Sequence, residues 1–305
     1  MRLSHQQRQG PLATTRGKIG AALITVGEGL LILRFRPISD YYFPFVWLGF
    51  ILLLDSALYG YARRSLFASL PKVFLALFPI SVAFWWLFEA LNLNVHNWIY
   101  IGAQSYQGIG FVVFASIDFS TVLPAVWVAA LLVHELLPGD AERARAPRSV
   151  PKAILLLLFT AGIFSIILPP LYPRYAFPLL WICLYFLLDP VNEWLGRPSI
   201  IGSLWRGSWR LVASFALGTL LCGFFWEAWN YWAMPKWEYN IPFVNFWHIF
   251  EMPLLGYGGY LPFGLELFAM TNFVLPFLGL GTLTIDRVLG IPPECDDPYA
   301  EERVS

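Results

Sequence analysis

The sequence predicts an all-α polytopic transmembrane helix bundle of about eight spans, built as two parallel four-helix repeats. Three observations carry this reading. The 305-residue chain is 58% hydrophobic and only 13% charged, against about a quarter charged in an ordinary soluble domain. Its apolar stretches reach the length needed to cross a bilayer core, about 20 mostly apolar residues per helix. The third is internal repetition, which reports architecture directly. Tyr42-Phe43-Pro44-x-x-Trp47 runs on to Leu53-Leu54-Asp55, and Ala176-Phe177-Pro178-x-x-Trp181 runs on to Leu187-Leu188-Asp189 with the same spacing. Phe88-Glu89-Ala90-Leu91-Asn92 leads to Trp98-Ile99-Tyr100, and Trp226-Glu227-Ala228-Trp229-Asn230 leads to Trp237-Glu238-Tyr239. Phe111 to Pro124 matches Phe263 to Pro276 without a gap.

In chain order, residues 1–17 form a polar, basic N-terminal segment without the pattern of a cleavable leader. The first repeat, 18–138, holds spans near 18–35, 43–62, 71–92 and 110–137. Glu28 interrupts the first of these, but its mate in the second copy is almost pure Leu, Ile, Phe and Ala, which supports it. Pro124 should kink the overlong fourth span. A linker, 139–150, leads to the second repeat, 151–285, with spans near 151–169, 177–195, 209–232 and 262–284, and an acidic tail, 286–305, follows. The segment from Phe246 to Tyr260 is too apolar for a solvated loop and too Gly-broken to span, so it reads as a re-entrant or interfacial lid.

Loop charge sets the orientation. With eight spans, only Arg34, Arg36, Arg174 and Lys236 of the 20 Lys and Arg fall on one side. The basic side is cytoplasmic, so the expected location is the cell membrane, multi-pass, with both termini inside. An even number of spans per copy gives both copies one orientation, a parallel duplication. A net charge of zero offers nothing to a nucleic acid. The expected partners are the bilayer and a lipophilic small molecule or lipid. Cys183, Cys222 and Cys295 have neither metal nor redox spacing.

Acids in apolar spans are the leading candidates for chemistry, because a charge at mid-span costs roughly 2.5–3.5 kcal/mol on insertion scales. Glu89 and Glu227 lie about one turn from the outer ends of their helices, flanked by Phe, Trp and Ala. A neutral carboxylic acid in an apolar pocket is a usable proton donor. Asn92 and Asn230 follow three residues on, on the same face, and could hold these acids. A headgroup-facing or helix-bridging Glu is the plainer alternative. Glu251 and Glu266 occur only in the second copy, where Glu266 aligns with Phe114, while Asp118 aligns with Met270. The candidate acids are therefore Glu227, Glu266, Glu251 and Glu89. Asp55 and Asp189 lie roughly 16 Å along their helices, past the midplane. They read as structural interhelical contacts, with Arg63, Arg64 or Arg197 as partners, or as a proton relay.

Histidines are His5, His96, His134 and His248, too few and too scattered for a metal centre. His248 lies near Glu251 on the lid and could tune its charge. The chain holds 14 Trp, 14 Tyr and 26 Phe. Most should form an interfacial belt. A subset, with Trp226, Trp237 and Tyr239 foremost, could line a π-rich pocket that steadies a cation.

In the second copy, Phe225-Trp226-Glu227, Trp237-x-Tyr239-Asn240 and Leu261-Pro262-x-x-x-Glu266 follow the Leu-Leu-Asp189 span. This order resembles the lycopene cyclase domain of the small integral-membrane type, in its tandem-fused form. The resemblance covers residues 40–135 and 175–285. It departs where Glu266 stands alone in place of a pair of acids. It implies a membrane enzyme of carotenoid biosynthesis, cyclising or isomerising an isoprenoid by proton donation from a carboxylic acid, with no cofactor. A proton-coupled transporter of small solutes or a non-catalytic scaffold for lipid or pigment are the other readings. Reporter fusions at the two ends should both report the cytoplasm; ends on opposite sides would break the even-span topology.

Overall fold

The structure, a computed structural model, describes residues 9–103, 108–138 and 149–291. The expectations for residues 1–8, most of the linker and the tail from 292, including His5, Cys295 and their basic residues, lie outside the described residues. The described residues are 75% helical with almost no sheet. Helices α1 (Thr15–Leu33), α2 (Tyr42–Ala62), α3 (Leu66–Ser69) and α4 (Pro71–Val95) lead to strand β1 (Trp98–Ile101), then to α5 (Ile109–Phe119) and α6 (Val122–Leu136). Next come α7 (Lys152–Leu171), α8 (Pro173–Ala176), α9 (Cys183–Trp194), α10 (Ile200–Trp205) and α11 (Arg210–Tyr231). Strands β2 (Lys236–Tyr239), β3 (His248–Ile249) and β4 (Met252–Pro253) precede α12 (Tyr260–Val274) and α13 (Ile285–Leu289).

Among the described residues, six helices are long and apolar enough to cross a membrane: 38–62, 71–95, 109–136, 152–171, 210–231 and 254–278. The pair Pro173–Trp181 and Cys183–Trp194, bent by 40°, makes a seventh if taken as one broken span. This is a multi-pass membrane protein by helix length and composition. The first expected span, α1, has the length, but it carries Arg16, Lys18 and Glu28 within its 19 residues. It packs lengthwise on α2. The contact is close because a Cβ on Gly20 would come 2.7 Å from the Gly49 carbonyl oxygen, and one on Gly49 would come 2.6 Å from that of Gly20. Small residues facing each other let helix backbones approach where lipid offers no hydrophobic drive.

The expected kink at Pro124 takes the form of a break, with α5 ending at Phe119 and α6 starting at Val122. A proline ring clashes with the carbonyl four residues earlier, which is Ser120. The sixth expected span divides likewise, into a 3-10 turn over Phe177–Trp181 and α9.

Helix α6 is the central pillar. Every residue from Val122 to Leu132 is buried, and it packs against α2, α4 and α11. A helix apolar all round belongs in an interior. By contrast α7 exposes Leu156, Leu157 and Phe164, as a lipid-facing helix does. Polar residues stitch the core together. Trp127 Nε1 donates to Thr271 Oγ1 at 2.9 Å, Asn192 Nδ2 to the Ala269 carbonyl at 2.8 Å, and Leu283 N–H to Asn272 Oδ1 at 2.8 Å.

Asp55 and Asp189 share one task. The Phe67 amide donates to Asp55 Oδ1 at 3.0 Å, while Ser65 Oγ and Arg16 Nη1 donate to its Oδ2 at 2.8 and 2.6 Å. The Ile200 and Ile201 amides each donate to Asp189 at 2.8 Å. Ser65 and Ser199 are the N-caps of α3 and α10. Each aspartate thus satisfies the orphan amides of the short helix that follows its span. The expectation that these acids contact Arg63, Arg64 or Arg197 gives way to Arg16 for Asp55 and to backbone alone for Asp189, because amide donors at a buried helix start must be met first. Asp189→Asn keeps one acceptor and turns its amide nitrogen toward a second N–H, so it should destabilise the fold by about 1–3 kcal/mol. Thermal aggregation of detergent-solubilised protein should start at a lower temperature; an unchanged midpoint would refute the capping role.

Candidate functional site

The two Trp-x-Tyr turns meet as an antiparallel pair of strands. Trp98 faces Tyr239, Ile99 faces Glu238, Tyr100 faces Trp237 and Ile101 faces Lys236. The pairing is reciprocal, since each tryptophan faces the other turn's tyrosine. Asn92 and Asn230 hold the strands to the ends of α4 and α11. Asn92 Nδ2 donates to the Trp98 carbonyl at 2.8 Å, and its Oδ1 accepts from the Asn97 amide at 2.8 Å. Asn230 Nδ2 donates to the Trp237 carbonyl at 2.7 Å, and its Oδ1 accepts from the Trp237 amide at 2.9 Å. This corrects the expectation that the asparagines hold Glu89 and Glu227. Backbone groups just past a helix end lack partners, and a carboxamide carries both the donor and the acceptor they need.

The glutamates are held by aromatic donors instead. Glu89 Oε1 accepts from Tyr100 Oη at 2.6 Å, Trp85 Nε1 at 3.0 Å and Trp98 Nε1 at 3.1 Å. Glu227, 0% exposed, accepts at Oε1 from Tyr239 Oη at 2.7 Å and from Tyr260 Oη at 2.6 Å. Trp237 Nε1 donates to Tyr239 Oη at 2.9 Å. Glu227 Oε2 is buried with no hydrogen-bond partner among the described residues. Burial, and then the neighbouring Glu227 carboxyl, push the Tyr239 phenol well above its ordinary pKa. Burial and Glu89 do the same to Tyr100. Both hydroxyls therefore keep their protons and remain donors.

These residues wall a cavity of about 150 Å³. More than half of its lining residues are aromatic, including Trp85, Trp98, Trp181, Trp226, Trp237 and Phe263. Tyr42, Tyr100, Tyr239 and Tyr260 add hydroxyl-bearing faces. Met252 and Gly256 close it from the segment beyond β3. The Phe246–Tyr260 segment thus covers the cavity as a small hairpin and a 3-10 turn, while Trp247, Leu254 and Leu255 point outward and exposed.

Of the expected site residues, Trp226, Trp237 and Tyr239 line this cavity. Glu227 and Glu89 do not line it but bond the hydroxyls of tyrosines that do. Glu251, Glu266 and His248 do not line it. Glu251 accepts from Lys236 Nζ at 2.5 Å, and Lys236 also pairs with Glu238 at 3.3 Å. Partial burial by itself disfavours the Lys236 ammonium, but the two carboxylates outweigh this and hold its pKa above the usual lysine value. His248 is exposed and bonds Asn245 at 3.1 Å, while Glu251 bonds Lys236, so the tight turn at Phe250-Glu251 sends the two side chains to different partners. Glu266 Oε1 accepts the Leu184 amide at 2.9 Å. It supplies an acceptor to the first turn of α9, where the chain restarts a helix after a 3-10 break and amides lack partners.

Sequence reasoning noted Asp118 without making it a candidate, although it lines the cavity directly, and left out the hydroxyl donors Tyr100 and Tyr260. Tyr100 was signalled by the repeated Trp-x-Tyr. Tyr260 aligns with a glycine in the first copy, and Asp118 with a methionine, so repetition could not flag them. No family model, curated protein or solved structure matches the chain. Asn230→Ala removes both bonds that fix β2 and should loosen the wall. Acrylamide should then quench tryptophan fluorescence measurably more strongly than in the parent protein; identical quenching would show that the latch does not shape the cavity.

Proposed function

We propose that this chain is an integral membrane enzyme that cyclises or isomerises a lipophilic isoprenoid or carotenoid-like molecule by proton transfer from a carboxylic acid. One observation carries the reading: a fully buried Glu227 bonded by the hydroxyls of two tyrosines that line an aromatic cavity. In this scheme the neutral Glu227 carboxylic acid is the proton source, and the hydroxyl of Tyr239 or Tyr260 passes its own proton to the substrate alkene as it takes the one from Glu227, so no tyrosinate forms. The π electrons of the alkene form the new C–H bond. The resulting cation lies against indole and phenol faces, which attract positive charge. Loss of a proton from an adjacent carbon to the same relay ends the reaction, so atoms and electrons balance without an oxidant or a cofactor.

Size shapes the proposal. A cavity of about 150 Å³ admits a ring of roughly benzene size, so one end group of a long polyene would enter while the remainder lies elsewhere. The tandem lycopene cyclase resemblance fits this picture, with Glu227 rather than Glu266 as the working acid.

The parallel two-repeat layout belongs to the same proposal. The reciprocal strand pair, the paired asparagine latches and the paired aspartate caps support two four-helix units about a twofold axis along the membrane normal, both termini cytoplasmic, in the cell membrane. Trp47 packs on Trp226 at 5.1 Å and its mate Trp181 packs on Phe88 at 5.6 Å, the crossed contacts such an axis gives. The transporter reading draws less support, because Asp55 and Asp189 are committed to helix caps.

Reconstituted protein supplied with an acyclic polyene such as lycopene in deuterated water should place solvent deuterium in the product. Glu227→Gln should cut that incorporation by about a hundredfold or more, the scale of a lost general acid, while the protein still purifies as folded. Undiminished incorporation would remove Glu227 from the reaction.

A further inference from the structure

Asp118 is the lining residue that proton relay leaves unused. It sits in the last turn of α5, where a negative charge opposes the helix dipole, so it does not serve the helix. Its Oδ1 is buried and has no hydrogen-bond partner among the described residues. The other charged lining groups are engaged: Asp40 accepts from Arg36 Nε at 3.0 Å, and Lys236 bonds Glu238 and Glu251. Among the described lining residues, Asp118 is thus the carboxyl not paired with a cation. The remaining lining is mostly indole, phenol and phenyl. An unpaired carboxyl oxygen among aromatic faces is the chemistry that recognises an organic ammonium ion.

We propose that the cavity binds the head group of a lipophilic ammonium ion, a group of about the size it admits, with its charge against Asp118 and its alkyl groups against Trp85, Phe114 and Phe119, while the rest of the ion lies outside. All four line the one cavity, and the Trp85 and Phe119 rings pack at 5.9 Å. Asp118 is then a selectivity residue for positive charge. The inference needs the cavity, but not the turnover proposed above.

The test uses the full chain in lipid nanodiscs with two probes of the same shape, benzyltrimethylammonium and its uncharged carbon analogue neopentylbenzene. Binding is read by calorimetry and by tryptophan quenching. Benzyltrimethylammonium should bind about tenfold or more tightly than neopentylbenzene. Asp118→Asn, which breaks no recorded side-chain bond, should erase that preference while neopentylbenzene binding persists, showing an intact cavity. Solvent-deuterium incorporation is measured on the same samples, so a failure of proton transfer and a failure of charge recognition give different results. Equal affinities for the two probes, or a preference unchanged in Asp118→Asn, would overturn the proposal. If Asp118→Asn loses both ligands, Asp118→Glu decides: restored preference supports the site, and neutral binding alone overturns it.

Discussion

A carboxyl group inside an apolar helix bundle has to find donors, and that demand organises this molecule. Water is absent from a bilayer core, and an unsatisfied polar group there costs several kcal/mol. The acids answer in two ways. Asp55, Asp189 and Glu266 take backbone amides at the starts of α3, α10 and α9. They make short and broken helices tolerable and mark where the chain turns. Glu89 and Glu227 take indole and phenol donors. That second solution pulls aromatic side chains inward, and the inward rings become the walls of a cavity.

The strand pair translates the local solution into a site. Asn92 and Asn230 pin the chain as it leaves α4 and α11, β1 and β2 pair across the molecule, and the alternation of side chains along a strand sends Trp98 and Tyr100 to one face. The tyrosine hydroxyls then reach back to the glutamates one helical turn before the asparagines. Helix end, latch, strand and acid are successive links, so changing the latch alters the shape of the wall around the acid.

Much of this was legible in the chain. Multi-pass character followed from long apolar stretches, and the grouping of Trp226, Trp237 and Tyr239 near Glu227 followed from a motif written twice. What periodicity could not supply was direction. Asn230 shares a face with Glu227, but it bonds backbone, because nearby orphan amides and carbonyls compete for a carboxamide. Glu266 stood where the resembled motif has a pair of acids, yet the chain break at Ile182 gave it a helix start to serve. Asp118 has no partner in the repeat and no motif around it, so only its position in three dimensions singles it out. The span count suffered similarly: α1 has the right length, while Arg16 works as an ion-pair partner for Asp55 instead of lying in a loop.

The central claim is that a lipophilic molecule enters the aromatic cavity between the paired strands and the lid. Photolabelling tests it most directly: a short isoprenoid carrying a diazirine at its end group is irradiated with the protein in membranes, and labelled peptides are mapped. The account predicts adducts concentrated on Trp98, Trp226, Tyr239 and Phe263, competed away by unlabelled isoprenoid. Adducts confined to the outward face of α7, at Leu156, Leu157 and Phe164, and insensitive to competitor, would contradict it.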